Sequence, residues 1–247
     1  MKQGTKPISV LFYAFFFSIL LVIGILFLNL FFLFGTDSRK NEREKPVFSA
    51  NASYPTVILD AGHGGEDPGA ISVFGKEEKH FNLDLVKRIG AFLEAEGIRV
   101  IYTRTEDILL SDPKAATKKS GDLMARVAIG RQHPEAIFVS IHMNTLSIEK
   151  YCGLQTFYSE ECSLNRPLAQ QIQNDVIAML QPNNHREAKN SNGSIYILDR
   201  ISGPSVLIEC GFLSNRNEAS LLENEEYRGK LAYVLSRSLL PFLLQKA

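Results

Sequence analysis

Neither sign of charge is in surplus along this chain: 27 lysines and arginines face 27 aspartates and glutamates. Without a bulk positive field there is no electrostatic footprint for nucleic acid or another polyanion. Cysteine is scarce. Cys152, Cys162 and Cys210 form an odd set with no C-x-x-C spacing, which argues against a cysteine-built zinc site and a disulfide framework. One bridge, Cys152–Cys162, stays open against the default of idle or buried thiols. The signatures H-E-x-x-H and G-x-S-x-G are both absent, so neither a zincin-type protease nor a hydrolase built on a nucleophile elbow is expected. Internal repeats and low-complexity tracts are missing as well.

One long uncharged run stands out. Ile8 to Phe34 carries no formal charge, and Asn29 is its one strongly polar member. About 20 apolar residues span a bilayer as a helix, whereas a cleavable signal has an apolar core of only about 7–15. The one A-x-A pattern, Ala50-Asn51-Ala52, lies well beyond the run. The expectation is an uncleaved signal anchor over 8–34, a cytoplasmic tail over 1–7, a polar linker over 35–53 and a globular domain over 54–247. Lys2 and Lys6 precede the run and Arg39, Lys40, Arg43 and Lys45 follow it. That count mildly favours keeping the domain inside, although long domains translocate despite flanking charge.

Five short runs rich in β-branched or aromatic residues read as strands: 56–60, 98–104, 137–142, 154–158 and 205–209, with a weaker sixth at 194–198. Between them, helical spacing appears. Phe81, Leu85, Ile89, Phe92 and Leu93 recur on one stripe before a stop at Gly97, and further helices fit 121–131, 163–180 and 225–244. Apolar strands alternating with helices predict an α/β fold. The expected architecture is an open, largely parallel central sheet of about six strands flanked by helices, preceded by one N-terminal transmembrane helix.

In such sheets ligands bind beyond the carboxyl ends of the strands. The first strand runs into "GHGG", where His63 sits among Gly62, Gly64 and Gly65. Glycine lets another group approach closely, yet this stretch alone leaves a satisfied turn histidine equally open. The other strand ends tip the balance. The strand at 137–142 ends in His142 with Asn144 behind it, the strand at 205–209 ends in Glu209, and Glu77 and Glu78 open the first helix. Two imidazoles and one carboxylate are the ligand set of a catalytic zinc with an open fourth position. Such a metal polarises a carbonyl and lowers the pKa of bound water to about 7. A further carboxylate can take the water's proton and return it to a leaving amine. Glu209, on a different strand from both histidines, is placed for that. A glycosidase's paired carboxylates would leave the histidines unexplained.

"VILDAGHGGEDPGA", "EKHFNL", the Thr103-Arg104 pair, "SIHMN" and "VLIECGFLSN" follow one another along about residues 56–242. In that order they resemble the motifs of the zinc-dependent N-acetylmuramoyl-L-alanine amidases of bacterial cell walls. With "GSIYIL" at 193–198 and the single N-terminal apolar run, the chain is most similar to the germination-specific branch found in spore formers. The resemblance implies one zinc per chain, held by His63, Glu78 and His142, with Glu209 as the catalytic acid/base. Glu78 rather than Glu77 falls on the Glu-Lys-x-x-Asn-Leu pattern, and Asn82 follows it at i+4, on the same helix face. The implied reaction hydrolyses the amide between the lactyl group of N-acetylmuramic acid and the L-alanine of the stem peptide. Asn144, Arg186 and Lys189 are candidate contacts to that substrate.

His80 stands where the resemblance has an acid, but the ligand set is complete without it. Arg131 replaces an asparagine for a reason the sequence does not disclose. Division-type relatives insert a helix that plugs the site; here the segment after the strand at 154–158 is too short, so the site is expected to be open. Control then falls to expression, location or an accessory activating protein. Peptidoglycan and the membrane are the expected partners, nucleic acid is not, and the expected location is the cell or spore membrane, single-pass, with the domain extracytoplasmic. Two other readings stay open: a wall-binding protein that is inactive or partner-dependent, and a zinc peptidase cutting within the stem peptide.

Overall fold

The computed structural model describes residues 55–111 and 114–245. The expected tail, anchor and linker lie outside the described residues, among which no helix is long and apolar enough to cross a membrane. Strand β1 (Thr56–Ala61) leads to helix α1 (Glu78–Ala95) and β2 (Arg99–Tyr102). Next come α2 (Lys118–Gln132), β3 (Ile137–Asn144), β4 (Gln155–Tyr158), α3 (Asn165–Met179) and β5 (Lys189–Asn190). The chain finishes with β6 (Ser205–Phe212), α4 (Arg216–Glu223) and α5 (Glu225–Leu244). The strands form one six-stranded sheet in the order β2-β1-β3-β6-β4-β5.

All neighbouring pairs are parallel except β4 with β6. The exception follows from chain length and direction. A parallel return needs a crossover of about a dozen residues or more, usually helical. After β3 the chain takes only the helix-free segment 145–154, so it re-enters the sheet from the carboxyl edge and runs backwards. That segment is thereby left over the edge where the histidines emerge.

Alternation along the strands sorts the two faces. Val57 and Leu59 of β1, Val139 and Ile141 of β3, and Val206 and Ile208 of β6 pack under α1, α3 and α5. Leu85, Ile89, Leu168, Ile172, Leu231 and Leu235 meet them there with no exposed surface. Each such side chain contributes about 1.5–3 kcal/mol by leaving water. Phe92, expected on the apolar stripe, instead lies partly exposed in an edge-to-face pair with Tyr233. On the opposite face a smaller core joins Ile58, Val127, Phe138, Ile197 and Ile201.

The expected strand at 194–198 is a correction. Residues 196–200 form consecutive turns, with the Asp199 and Arg200 N–H groups bonded to the carbonyls of Ile195 and Ile197. Ile197 is drawn into the smaller core, and the place beside β4 is taken by Lys189 and Asn190. Arg131 finds its account here, its Nε donating to the Arg200 carbonyl at 3.0 Å. The strand expected over 98–104 ends at Tyr102, because Thr103 and Arg104 turn into a polar network under β1. Helix α4 went unread, although Asn215 caps it by accepting from the N–H groups of Asn217 and Glu218.

That network is the support of the site. Asp60, fully buried, accepts from Thr103 Oγ1 at 2.7 Å, from Ser140 Oγ at 2.6 Å and from the Arg126 guanidinium. Arg126, 1% exposed, also pairs with Asp122 and donates to the carbonyls of Ala61 at 2.7 Å and His63 at 2.8 Å. Arg104 takes the carbonyls of Ala61 at 2.9 Å, Gly62 at 3.0 Å and Lys79 at 2.9 Å. Two buried guanidiniums thus hold three successive carbonyls as the chain leaves β1. Burial alone would raise the Asp60 pKa, but Arg126 and the two hydroxyl donors outweigh it and hold the carboxyl below its usual range.

Arg126→Ala strands Asp60 as an unpaired buried charge and is expected to cost about 3–5 kcal/mol, measured by denaturant unfolding. The depressed Asp60 pKa gives its own sign. Its stabilisation is fully present above the unfolded value of about 3.9 and is lost as pH falls through the lower folded value. Below pH 4 the wild type should therefore lose stability faster than Asp60→Asn. An equal acid slope for the two proteins would refute the role given to Asp60.

Candidate active site

Past Ala61 the β1 ladder makes one more bond, from Gly62 N–H to the Ile141 carbonyl at 3.1 Å. His63 then adopts φ 61°, a left-handed conformation that costs a non-glycine residue roughly 1–2 kcal/mol. The grip of Arg126 on its carbonyl offsets that cost. The glycines around it make room for the side chains of His142 and Glu78. A Cβ on Gly62 would lie 2.2 Å from Cε1 of His142, and one on Gly69 would lie 2.6 Å from Oε2 of Glu78. Neither side chain could stay where it is.

Glu78 is the first residue of α1 and only 3% exposed. Its Oε1 accepts from the N–H of Met143 at 2.9 Å and Nδ2 of Asn82 at 3.1 Å, and lies 3.0 Å from Nδ1 of His142. Oε2 accepts from the N–H of Ala70 at 2.8 Å and lies 3.2 Å from Nε2 of His63. Asn82 thus holds the carboxylate as its i+4 spacing suggested, and it also holds the Gly62 carbonyl at 3.1 Å. Burial works to raise the Glu78 pKa, but the two imidazoles overcome it and drive the carboxyl well below its ordinary range. His63 shows the reciprocal effect. Burial lowers its pKa, while Glu78 and Asp67 raise it more, to about 9.

One donor atom from each of His63, Glu78 and His142 falls within 4.8 Å of the others. Two imidazole nitrogens and a carboxylate, brought together through glycines that permit the approach, fit a zinc ion. Glu77 points elsewhere, pairing with Lys79 and His80. His80 is 59% exposed and His133 pairs with Glu135, so neither joins the cluster.

Glu209 is the register partner of His142 on the adjacent strand. Its Oε2 is buried with no hydrogen-bond partner. Burial raises its pKa to about 7, the charge of Glu78 adding to the rise and the two histidines opposing it. Four side chains named from the sequence therefore share one edge of the sheet, and two of them are carboxyls in opposite environments.

The candidate substrate contacts are more dispersed. Asn144 ends β3 beyond a bulge, with its carbonyl accepting from Leu213 N–H. Arg186 donates to the Cys152 carbonyl at 2.7 Å and to Oε1 of Gln155 at 3.1 Å, over the ring of Phe212. Gln155 is the register partner of Glu209, so Arg186 borders the site. Lys189 is exposed on β5, two strands from Glu209. Between β4 and α3 only 159–164 intervene, and no helix lies there. All three cysteines are free. Sequence reasoning passed over Asp60, Asp67 and Arg126. Asp67 lay inside a quoted motif, but nothing in the pattern marked Arg126.

Between residues 57 and 240 the chain matches the family described as N-acetylmuramoyl-L-alanine amidase. It is 34% identical to the germination-specific N-acetylmuramoyl-L-alanine amidase of Bacillus subtilis (strain 168), over 89% of this chain and 92% of that protein. The CwlD amidase of Clostridioides difficile, solved in complex with the GerS lipoprotein, superposes with a TM-score of 0.72 at 37% identity. That likeness covers 77% of this chain and 98% of that one. The amidase AmiC2 of Nostoc punctiforme follows the same fold, with a TM-score of 0.68 at 28% identity over 78% of this chain and 99% of its own. The match runs from β1 into α5 and takes in every strand that carries a site residue, and the chain belongs to the N-acetylmuramoyl-L-alanine amidase family.

Proposed function

We propose that this amidase works as a zinc hydrolase, with His63, Glu78 and His142 holding one metal ion and Glu209 moving the proton. The observation that carries the reading is the convergence of those three donor atoms within 4.8 Å, with Glu209 directly across the strand pair from His142. A zinc ion held there supplies a polarised carbonyl and a water acidified to near neutral pH. The chain's own residues do the rest. Glu78, fixed by two backbone N–H groups and Asn82, stays ionised and keeps both imidazoles in place. Glu209 has an oxygen with no protein partner and a pKa near 7, so it can accept a proton and give it up again at neutral pH. It takes one from the attacking water and delivers it to the L-alanine nitrogen as the amide breaks. Arg186, already aimed along Gln155, is placed to meet a stem-peptide carboxylate. Lys189 lies further along the same sheet, and Asn144 stands two residues beyond His142 at the end of β3.

The substrate sets the location. Peptidoglycan lies outside the cytoplasmic membrane, so residues 8–34 are proposed as a single-pass anchor, with 1–7 inside, 35–53 as linker and 54–247 as the extracytoplasmic domain. A role in the spore cortex during maturation or germination is supported by the likeness to a germination-specific amidase. An accessory activating protein is supported by the CwlD structure, which contains a lipoprotein.

Digestion of purified peptidoglycan followed by mass spectrometry tests the bond. Free stem peptides beginning with L-alanine beside peptide-free glycan are expected. Shortened peptides would point to a peptidase instead, and no release to a binding or partner-dependent protein. A reporter fused after Ala247 should be active only outside the membrane, and cytoplasmic labelling would overturn the proposed orientation.

Variants separate metal binding from proton transfer. His63→Ala and His142→Ala should lower zinc content and activity together. Glu209→Gln should keep about one zinc per chain while its rate falls about 10²–10⁴-fold. Glu77→Gln, outside the cluster, should change little. Full activity in Glu209→Gln, or loss of zinc in Glu77→Gln, contradicts these assignments.

A further inference from the structure

We infer that Asp67 is a positioning residue for the metal centre: its carboxylate accepts the hydrogen bond of the His63 Nδ1–H and so presents Nε2 to the metal. The inference rests on the zinc reading above and extends it to a residue outside the ligand set. Of the three ligands, His142 is carried by a strand and Glu78 by a helix, while His63 stands on the loop after β1. Its backbone is held by Arg126, but a held backbone leaves the ring free to turn about its side-chain bonds.

Asp67 supplies the missing restraint. Its Oδ2 lies 2.7 Å from Nδ1 of His63, on the side of the ring away from Glu78, and Nε2 faces Glu78 at 3.2 Å. Asp67 is itself held at both ends. Its N–H and carbonyl bond with the carbonyl and N–H of Gly64 at 3.1 Å and 3.0 Å, and its Oδ1 accepts from Gly69 N–H at 3.1 Å. An ionised carboxylate can only accept. The proton shared with His63 therefore belongs on Nδ1, and Nε2 is the nitrogen at which a metal ion would replace the ring's second proton. Carboxylates that orient metal-bound histidines in this way fix the tautomer and raise the ligand's basicity.

His142 needs the opposite arrangement, since Nδ1 is its nitrogen against Glu78. Packing restrains that ring: a Cβ on Gly62 would come within 2.3 Å of its Nε2. The strand histidine is positioned by contact with backbone, the loop histidine by a carboxylate. Asp67 is not a fourth ligand, because the imidazole of His63 stands between its Oδ2 and Glu78. The competing view is that Asp67 and His63 form an ordinary i,i+4 pair that merely stiffens the loop.

The test uses wild type, Asp67→Ala, Asp67→Asn and, as a control in the same loop, Glu66→Ala. Glu66 is exposed and pairs with Lys118. Zinc affinity is measured by competition with a chromophoric chelator, and thermal midpoints are taken on the metal-free proteins. Asp67→Ala should bind zinc about 10–100-fold more weakly. Asp67→Asn, whose Oδ1 can still accept from Nδ1–H, should fall between it and wild type, and Glu66→Ala should match wild type. In ¹⁵N-histidine-labelled, zinc-loaded wild type, the Nδ1–H proton of His63 should be protected from exchange, and Asp67→Ala should lose that protection. Wild-type zinc affinity in Asp67→Ala overturns the proposal, as does an equal loss in Glu66→Ala. Should Asp67→Ala not fold, Asp67→Asn decides: wild-type affinity and His63 proton exchange overturn the proposal, whereas intermediate values support it. If wild type itself binds no zinc, the zinc reading is what has failed.

Discussion

The guanidinium of Arg126, buried against Asp60 beneath the carboxyl edge of the sheet, is the contact on which the rest of the site depends. An isolated charge at that depth would be expensive. Paired with Asp60 and Asp122, it is free to spend its remaining N–H groups on the Ala61 and His63 carbonyls. Arg104 takes the Gly62 carbonyl between them. A loop that would otherwise fluctuate is given a fixed backbone. His63 can then hold a left-handed conformation that few side chains would adopt unaided.

On that base the fold places two glutamates a short distance apart and gives them opposite properties. Glu78 accepts from two backbone N–H groups and an asparagine amide and lies against two imidazoles. Its charge is stabilised well below neutral pH. Glu209 sits across the strand pair with an oxygen that nothing satisfies, and its pKa rises to about 7. One carboxyl is suited to binding a cation and the other to exchanging a proton, the general pattern by which one site runs two kinds of carboxylate chemistry. The division of labour comes from neighbours, since the side chains are chemically identical.

The glycines of the first motif belong to the same logic. Gly62 and Gly69 stand where any Cβ would strike His142 or Glu78. His63, Glu78 and His142 converge because backbone, rather than side chain, fills the space between them. Segment 145–154, forced over the carboxyl edge by the missing crossover, brings Gln155 opposite Glu209 and Arg186 beside it.

Much of this was legible in the sequence, because it depends on local pattern. Five strands, the helices bounded by Glu78, Gly97 and Leu244, and the four chemical residues at strand and helix ends all follow from periodicity and from the motifs around them. Glu78 was separated from Glu77 only by resemblance, and the structure shows the reason, since Glu77 turns toward Lys79 and His80. What the pattern could not supply was long-range. Residues 194–198 have the composition of a strand, yet Ile197 is worth more in the core under Phe138 than in a ladder. Arg126 reads as one more charge on a helix, and only folding brings it against Asp60, 66 residues away in the sequence. The chain itself determined which groups stand at the carboxyl edge. Tertiary structure decided their electrostatics, because burial and partners, which no local pattern encodes, set whether a carboxyl holds its proton.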